Sequence, residues 1–205
     1  TEIGDNSFYS CSFLKQITIP SSVKKIGNNA FCNCTSLAQI EISSSSLTEI
    51  GDNSFYSCIS LKQITIPSSV TKIGNNAFGN CSLLKQIEFP SSLITIGEYA
   101  FSYCQSLTKV ELHSSLDKIG ENAFVSCSSL NEIIIPSSVS DIGDHIFLGC
   151  SQLNDINIVS GEIKRIEYFE DQFLVYKKNP KSDQFDTLLW VKPSIQTVKI
   201  PSFIK

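Results

Sequence analysis

The sequence predicts an α/β solenoid, a stack of short coils, and two observations support this fold class. A block of about twenty-three residues recurs seven times, and repetition at such a period is typical of solenoid proteins. Every block carries one glycine and, seven residues later, one cysteine. The glycines are Gly4, Gly27, Gly51, Gly74, Gly97, Gly120 and Gly143, and the cysteines are Cys11, Cys34, Cys58, Cys81, Cys104, Cys127 and Cys150. A single coil buries too little apolar surface to offset its loss of chain entropy, so neighbouring coils must stack on one another.

The first element of each block is a very short β-strand. In one copy, Leu61, Ile64 and Ile66 place apolar side chains on one face, which predicts a strand with that face buried. The outward residues of this strand are then Gln63 and Thr65. Equivalent strands in neighbouring coils are expected to pair in parallel, about 4.8 Å apart.

The rest of the block predicts turns. Pro67 ends the strand because proline has no backbone N–H to donate, and the Ser-Ser pair that follows suits a turn. Gly74 is predicted to take a positive φ, which costs glycine little. The Asn-Asn pair at 75–76 favours a turn or a helix cap, and residues 77–78 are predicted to form a short helical or 3₁₀ turn.

The repeat pattern fails after Ile166. The sequence therefore predicts seven repeats over residues 1–166, and over 167–205 a β-hairpin insertion followed by the start of a further repeat in the same solenoid. Segments 172–176 and 187–191 read as the two strands of the hairpin. Its candidate contact residues are Tyr176 and Trp190, because aromatic residues with polar tips are favoured in binding hot spots. The alternative is a hairpin that packs its own aromatic residues as a cap or spacer.

Composition excludes several classes of function. The net charge of -4 gives no cationic field for nucleic acid, and no apolar run approaches the roughly eighteen residues of a membrane span. We find no phosphate-binding loop, nucleophile elbow or clustered carboxylate signature, so no catalytic residue, metal site or cofactor is predicted. Because the chain opens and closes partway through a repeat, we expect it to be part of a longer protein.

The cysteines are predicted to form a column of buried free thiols. Seven of the eight occupy one position of the repeat, and an odd number along the stack does not divide into pairs. Disulfides between adjacent coils and metal binding are the alternatives. Cys32 lies outside the column and could be a more reactive thiol or a tolerated variable residue.

The block from Ile66 to Leu84 reads I-P-S-S-V-x-x-I-G-x-x-A-F-x-x-C-x-x-L and closely resembles the BspA-like leucine-rich repeats, also called the Treponema pallidum type. This resemblance implies a right-handed leucine-rich repeat solenoid with its strands on the concave side. It also implies a surface or secreted protein of bacteria or parasitic protists that is noncatalytic and adheres to a host cell-surface or extracellular matrix protein. The alternative is a structural spacer or an intracellular scaffold that displays other domains.

Two columns of outward strand residues are the predicted protein-binding surface on the concave face. They are Gln16, Gln39, Gln63, Gln86, Lys109, Glu132 and Asp155, and Thr18, Glu41, Thr65, Glu88, Glu111, Ile134 and Asn157. The first half is rich in amides and the second is more acidic, which favours a ligand with amide or basic groups. The alternative is a solvated face without a ligand.

Overall fold

The computed structural model describes residues 1–159, 166–169, 173–176 and 187–193, with the side chains of 1–159, Leu174 and 189–193. Residues 1–159 form about seven stacked coils, and each coil contributes two short strands. Strands are numbered β1 to β17 in chain order. The described ranges contain no helix, and therefore none long and apolar enough to cross a membrane.

Seven two-residue strands build one continuous parallel sheet. They are β1 (Glu2–Ile3), β3 (Lys25–Ile26), β5 (Glu49–Ile50), β7 (Lys72–Ile73), β9 (Thr95–Ile96), β11 (Lys118–Ile119) and β13 (Asp141–Ile142). Each isoleucine pairs with the isoleucine of the next coil, as Ile73 does with Ile96. Each strand residue therefore pairs with the residue one repeat further along the chain.

The longer strands predicted from L-x-x-I-x-I lie on a second side of the stack. They are β2 (Gln16–Ile19), β4 (Gln39–Ile42), β6 (Gln63–Thr65), β8 (Gln86–Glu88), β10 (Lys109–Glu111), β12 (Glu132–Pro136) and β14 (Asp155–Val159). They form parallel sheets of two, two and three strands, β2-β4, β6-β8 and β10-β12-β14. The predicted alternation is observed, since Ile64 and Ile87 are buried while Gln63 and Gln86 are exposed.

The repeat glycines are required for a reason other than the predicted one. Gly74 does not have a positive φ; instead, a Cβ on Gly74 would lie 2.7 Å from the backbone nitrogen of Asp52 in the preceding coil. Backbone cannot yield at that distance, so only glycine permits the coils to approach this closely. Later turn residues adopt the left-handed conformation instead. In this coil they are Asn76 and Asn80, with φ of +52° and +60°. Asparagine tolerates it better than most residues do.

The prediction of a short helical or 3₁₀ turn is wrong for the described coils. Phe55 donates its backbone N–H to the carbonyl of Ala77 in the next coil, at 2.8 Å. The next residue, Tyr56, instead donates to Asn53 in its own coil, at 3.1 Å. Because alternate N–H groups point to the neighbouring coil, a helix, which uses them all internally, cannot form.

A ladder of phenylalanine rings runs through the core. Seven rings, one per coil, stack with centroids 4.9 to 6.2 Å apart and planes within 25° of parallel. The ladder comprises Phe8, Phe31, Phe55, Phe78, Phe101, Phe124 and Phe147. Since each ring packs against the rings of the neighbouring coils, stability depends on contacts between coils.

The second serine of the Ser-Ser pair also joins coils. Ser69 and Ser92 each donate their hydroxyl to a carbonyl of the preceding coil, that of Leu47 and that of Val70, both at 2.6 Å. A serine therefore satisfies a backbone acceptor that the turn would otherwise leave without a protein donor.

Beyond the coils lies an antiparallel sheet of three strands, β15 (Ile166–Phe169), β16 (Phe173–Tyr176) and β17 (Thr187–Val191). The two predicted hairpin strands pair with each other, and β15 adds a strand that the sequence did not predict. Leu174 and Trp190 are buried as part of the main core. The hairpin turn and the predicted further repeat at 200–205 lie outside the described residues.

Candidate protein-recognition face

The outward side chains of the longer strands form one surface, which we call the strand face. It consists of the fourteen residues of the two predicted columns, and all are exposed except the half-buried Glu132 and Ile134. Parallel pairing sets Gln16 beside Gln39 and Thr65 beside Glu88, so residues of one repeat position lie side by side. The structure thus brings the predicted binding residues together.

The first half of the strand face is rich in polar side chains that form no hydrogen bonds within the described coils. The side-chain amides of Gln16, Gln39, Gln63 and Gln86, all in the fully described coils, make no hydrogen bond within the protein. Thr65 makes a long hydrogen bond of 3.5 Å to Glu88. Free amides both donate and accept, so this half of the face can bind a partner's polar groups without first breaking internal bonds.

An open depression of about 680 Å³ lies on this half of the face. Its walls include Gln16, Gln39 and Gln63 from the first column and Thr18 and Glu41 from the second. The depression therefore coincides with five of the predicted binding residues.

Lysines along one edge of the face were missed by the sequence interpretation. Lys62 lines the depression, and Lys15 and Lys85 hold the same repeat position. Strict alternation would direct a residue just before the outward glutamine inward, yet all three are exposed. The signal in the sequence was lysine itself, which is almost never buried without a partner.

In the second half of the face, two opposite charges pair with each other. Lys109 on β10 forms an ion pair of 2.9 Å with Glu132, its register partner on β12. Glu111 on β10 lies beside the apolar Ile134. Since its opposite charges already pair, this half offers a partner fewer unsatisfied groups than the first.

Trp190 is the candidate hairpin contact whose side chain is described, and this residue is only 7% exposed. It lines a depression of about 350 Å³ with Leu189 on β17 and with Phe147 and Leu148 of the last coil. This packing favours the alternative in which the hairpin caps the stack. The side chain of Tyr176 lies outside the described residues, and a contact role for either residue stays a prediction.

The cysteine column is built into the contacts between coils. All eight cysteines are free thiols, and seven are buried. Cys81 donates its S–H to the carbonyl of Phe55 at 3.2 Å, and Cys104 bonds Phe78 in the same way. Cys11, in the first of the described coils, is exposed. The thiols therefore satisfy backbone carbonyls from within the core.

Burial also makes these thiols poor nucleophiles. It raises the pKa of Cys34 to about 11 and that of Cys104 to about 12, from an ordinary value of 9.0. Burial raises the pKa of Cys32 as well, in the direction opposite to a reactive thiol. In the described part of the chain, no group of three or more His, Cys, Asp or Glu side chains could hold a metal ion.

These raised pKa values predict a loss of stability in alkali. The unfolded chain releases thiol protons first, so this stabilisation is complete below about pH 9 and is lost as the pH rises toward the folded pKa values of about 11 and 12. We expect Cys104→Ala to reduce the downward slope of unfolding free energy above pH 9 by up to about 1.4 kcal/mol per pH unit. Urea unfolding of both proteins between pH 8 and 10.5 measures this, and equal slopes would contradict it.

A model of the BspA-type leucine-rich repeat region matches the chain in six copies, over residues 1–96 and 48–174. Searching curated proteins gave no match. Proteins built from such repeats are generally interaction scaffolds and typically noncatalytic.

Solved structures give the same result. A leucine-rich repeat protein of Treponema pallidum is 34% identical, with a TM-score of 0.55 over 77% of this chain and 62% of that one. A leucine-rich cell surface protein of Faecalibacterium prausnitzii is 29% identical, with a TM-score of 0.58 over 79% and 52%. The pneumococcal vaccine antigen PcpA, at 22% identity and a TM-score of 0.52, shares the fold. The chain thus spans less than two thirds of the two more similar proteins. On its repeats and its fold, it belongs to the BspA-type leucine-rich repeat family.

Proposed function

We propose that this chain is a noncatalytic protein-binding module that adheres to a host cell-surface or extracellular matrix protein through its strand face. The observation that carries the proposal is a continuous exposed row of unused amides beside an open depression. Binding a partner breaks no hydrogen bond within the protein, because these polar groups exchange hydrogen bonds with water for hydrogen bonds with the partner.

The concentration of these groups on one side of the stack supports the choice of surface. The shorter strands of the opposite sheet consist of two residues each, and two of their lysines, Lys72 and Lys118, form ion pairs of 2.6 Å with the neighbouring coil. Their charges are partly satisfied within the chain. The strand face has the larger number of uncommitted groups, and interfaces need many such groups acting together.

A location at the cell surface or outside the cell is part of the same proposal. It is supported by the similar protein of Faecalibacterium prausnitzii, which is described as a cell surface protein. The strand face would then meet extracellular proteins directly.

The test is binding of the immobilised chain to a panel of extracellular matrix and cell-surface proteins, measured by biolayer interferometry. We expect a variant with Gln39, Gln63 and Gln86 changed to alanine to bind at least about tenfold more weakly, which corresponds to about 1.4 kcal/mol. A control variant changes three exposed residues elsewhere, Lys25, Glu98 and Gln105, and should bind like the parent chain. Equal binding by all three proteins would reject the strand face.

A structural spacer is the second candidate, and the repeated bonding between coils favours it. Segments 1–34 and 48–81 differ at four positions, so this unit of the stack recurs almost unchanged. A spacer needs that regularity and no ligand. A folded chain that binds no member of the panel would support this candidate over adhesion.

A further inference from the structure

We propose that the partner of the strand face is a polypeptide segment carrying both charges, with a basic and an acidic side chain about 10 Å apart. This inference rests on the proposed function and specifies the chemistry of the ligand. It follows from lysines on one side of the amides and glutamates on the other. We call them the lysine rim (Lys15, Lys62 and Lys85) and the glutamate rim (Glu41, Glu88 and Glu111).

The backbone fixes the positions of the two rims. Lys62 and Lys85 lie in register, because the N–H of Lys85 donates to the carbonyl of Lys62 at 2.8 Å. Within one coil, Lys85 precedes Glu88 by three positions, which spans about 10 Å at 3.3 Å per residue. Lys62 and Glu41 lie on adjacent coils and line the same depression. The glutamines lie between the rims. A ligand that reaches both rims must therefore cross the amide row.

Among the described residues, no rim residue forms an ion pair. The pKa of Lys109 is raised first by its hydrogen bond to Glu132 and also by the charge of Glu111. The three ion pairs in the described residues join Lys72 to Glu49, Lys109 to Glu132 and Lys118 to Asp141, and no rim residue takes part. Opposite charges in register do pair, as the 2.9 Å bridge of Lys109 shows. Lys62 and Lys85 place like charges on adjacent coils, as do Glu88 and Glu111, which is unfavourable in the isolated chain. Ala38 separates Lys15 from Lys62, and Thr65 separates Glu41 from Glu88.

This arrangement selects the class of partner. A partner of a single charge would be attracted by one rim and repelled by the other, which removes most of the electrostatic benefit. A polypeptide can present both charges, since residues two to four apart in an extended segment are separated by roughly 7 to 13 Å. Its backbone N–H and C=O groups also match the free glutamine amides, which donate and accept.

Stability provides a first test that needs no ligand. Because Lys85 and Glu41 form no ion pair among the described residues, we expect Lys85→Gln and Glu41→Gln to leave the melting temperature unchanged or to raise it. The matched control is Lys109→Gln, which removes an ion pair and should lower the melting temperature slightly. If both rim variants melt well below the parent chain, the rims are structural and the proposal fails.

Binding provides the decisive test. A phage-displayed library of random twelve-residue peptides is selected on the immobilised chain, and enriched peptides are titrated against charge-reversal variants. We expect enriched sequences to carry Lys or Arg and Asp or Glu two to four residues apart. Lys62→Glu and Glu41→Lys should each weaken binding at least tenfold, and reversing the acidic residue of the peptide should restore binding to Lys62→Glu. The control Lys25→Glu lies on β3, outside the strand face, and should have no effect.

The outcomes separate this inference from the proposed function. Peptides that lose binding on the Gln39, Gln63 and Gln86 variant, yet tolerate both charge reversals, would overturn charge-pair recognition and leave the strand face as the binding surface. Peptides that bind all strand-face variants equally would count against both. A library without any binder above background would also overturn charge-pair recognition, and the protein panel would then decide the proposed function.

Discussion

Replacement of Gly120 by alanine is expected to destabilise the chain by about 3 kcal/mol. The new Cβ would lie 2.5 Å from the backbone nitrogen of Glu98 and 2.5 Å from the carbonyl carbon of Gly97, both in the preceding coil. Neither atom can move without shifting a whole coil, and coils on both sides are bonded to further coils. The expected cost is therefore at the upper end for overpacking. Urea unfolding followed by far-UV circular dichroism measures it.

The chain supplies a matched control at the same repeat position. A Cβ on Gly4 would have only the hydroxyl oxygen of Ser7 nearby, at 3.4 Å, which is an ordinary contact. Gly4→Ala should therefore change the unfolding free energy by less than about 1 kcal/mol, and it could stabilise by restricting the unfolded chain. If both substitutions cost the same, close approach between coils is not what selects glycine.

Loss of one ring from the phenylalanine ladder is the second large effect. Phe78 is fully buried, with ring centroids 5.2 Å from Phe55 and 5.3 Å from Phe101. We expect Phe78→Ala to cost about 3 to 5 kcal/mol, because the cavity lies between two bonded coils and cannot collapse from one side. The exposed Phe13, at 91%, is the control, and Phe13→Ala should cost close to nothing.

The position of Phe78 in the middle of the stack adds a qualitative expectation. In a solenoid, each coil is held mainly by its two neighbours, so weakening one interface can separate the unfolding of the two halves. Fluorescence of the single tryptophan, Trp190, reports the C-terminal end, whereas circular dichroism reports all coils. The two signals should diverge in Phe78→Ala. A single sharp transition at the parent midpoint would contradict the expected role of the ladder.

Periodicity was sufficient to predict the stack, its longer strands and their buried faces. Alternation of Ile64 and Ile66 with Gln63 and Thr65 is a local pattern, and it survives folding because one side of the strand meets the core. The repeated cysteine was likewise predicted as a buried thiol, and Cys34 and its later equivalents are buried. These are properties that every coil repeats.

Features that depend on the contact between coils could not be predicted from the periodicity. The sequence predicts a positive φ for Gly74 because the pattern of one coil does not show the backbone of the preceding coil. That backbone is what requires glycine at this position. The sequence predicts a short helical or 3₁₀ turn at 77–78 because it does not show that alternate N–H groups bond to the next coil. The lysine rim was missed since Lys62 stands outside the alternating part of the strand.

The bonds between coils also have a direction, which bears on how such a gene can change in length. Side-chain donors such as Cys81 point back to the preceding coil, whereas turn N–H groups such as that of Phe55 point forward. Every coil therefore has a back and a front that differ in their donors. Duplication of whole units in tandem creates no mismatched junction, and the near identity of 1–34 and 48–81 is what such copying leaves. Recombination between unequal copies can thus change the number of coils while the direction of the bonds between them is kept.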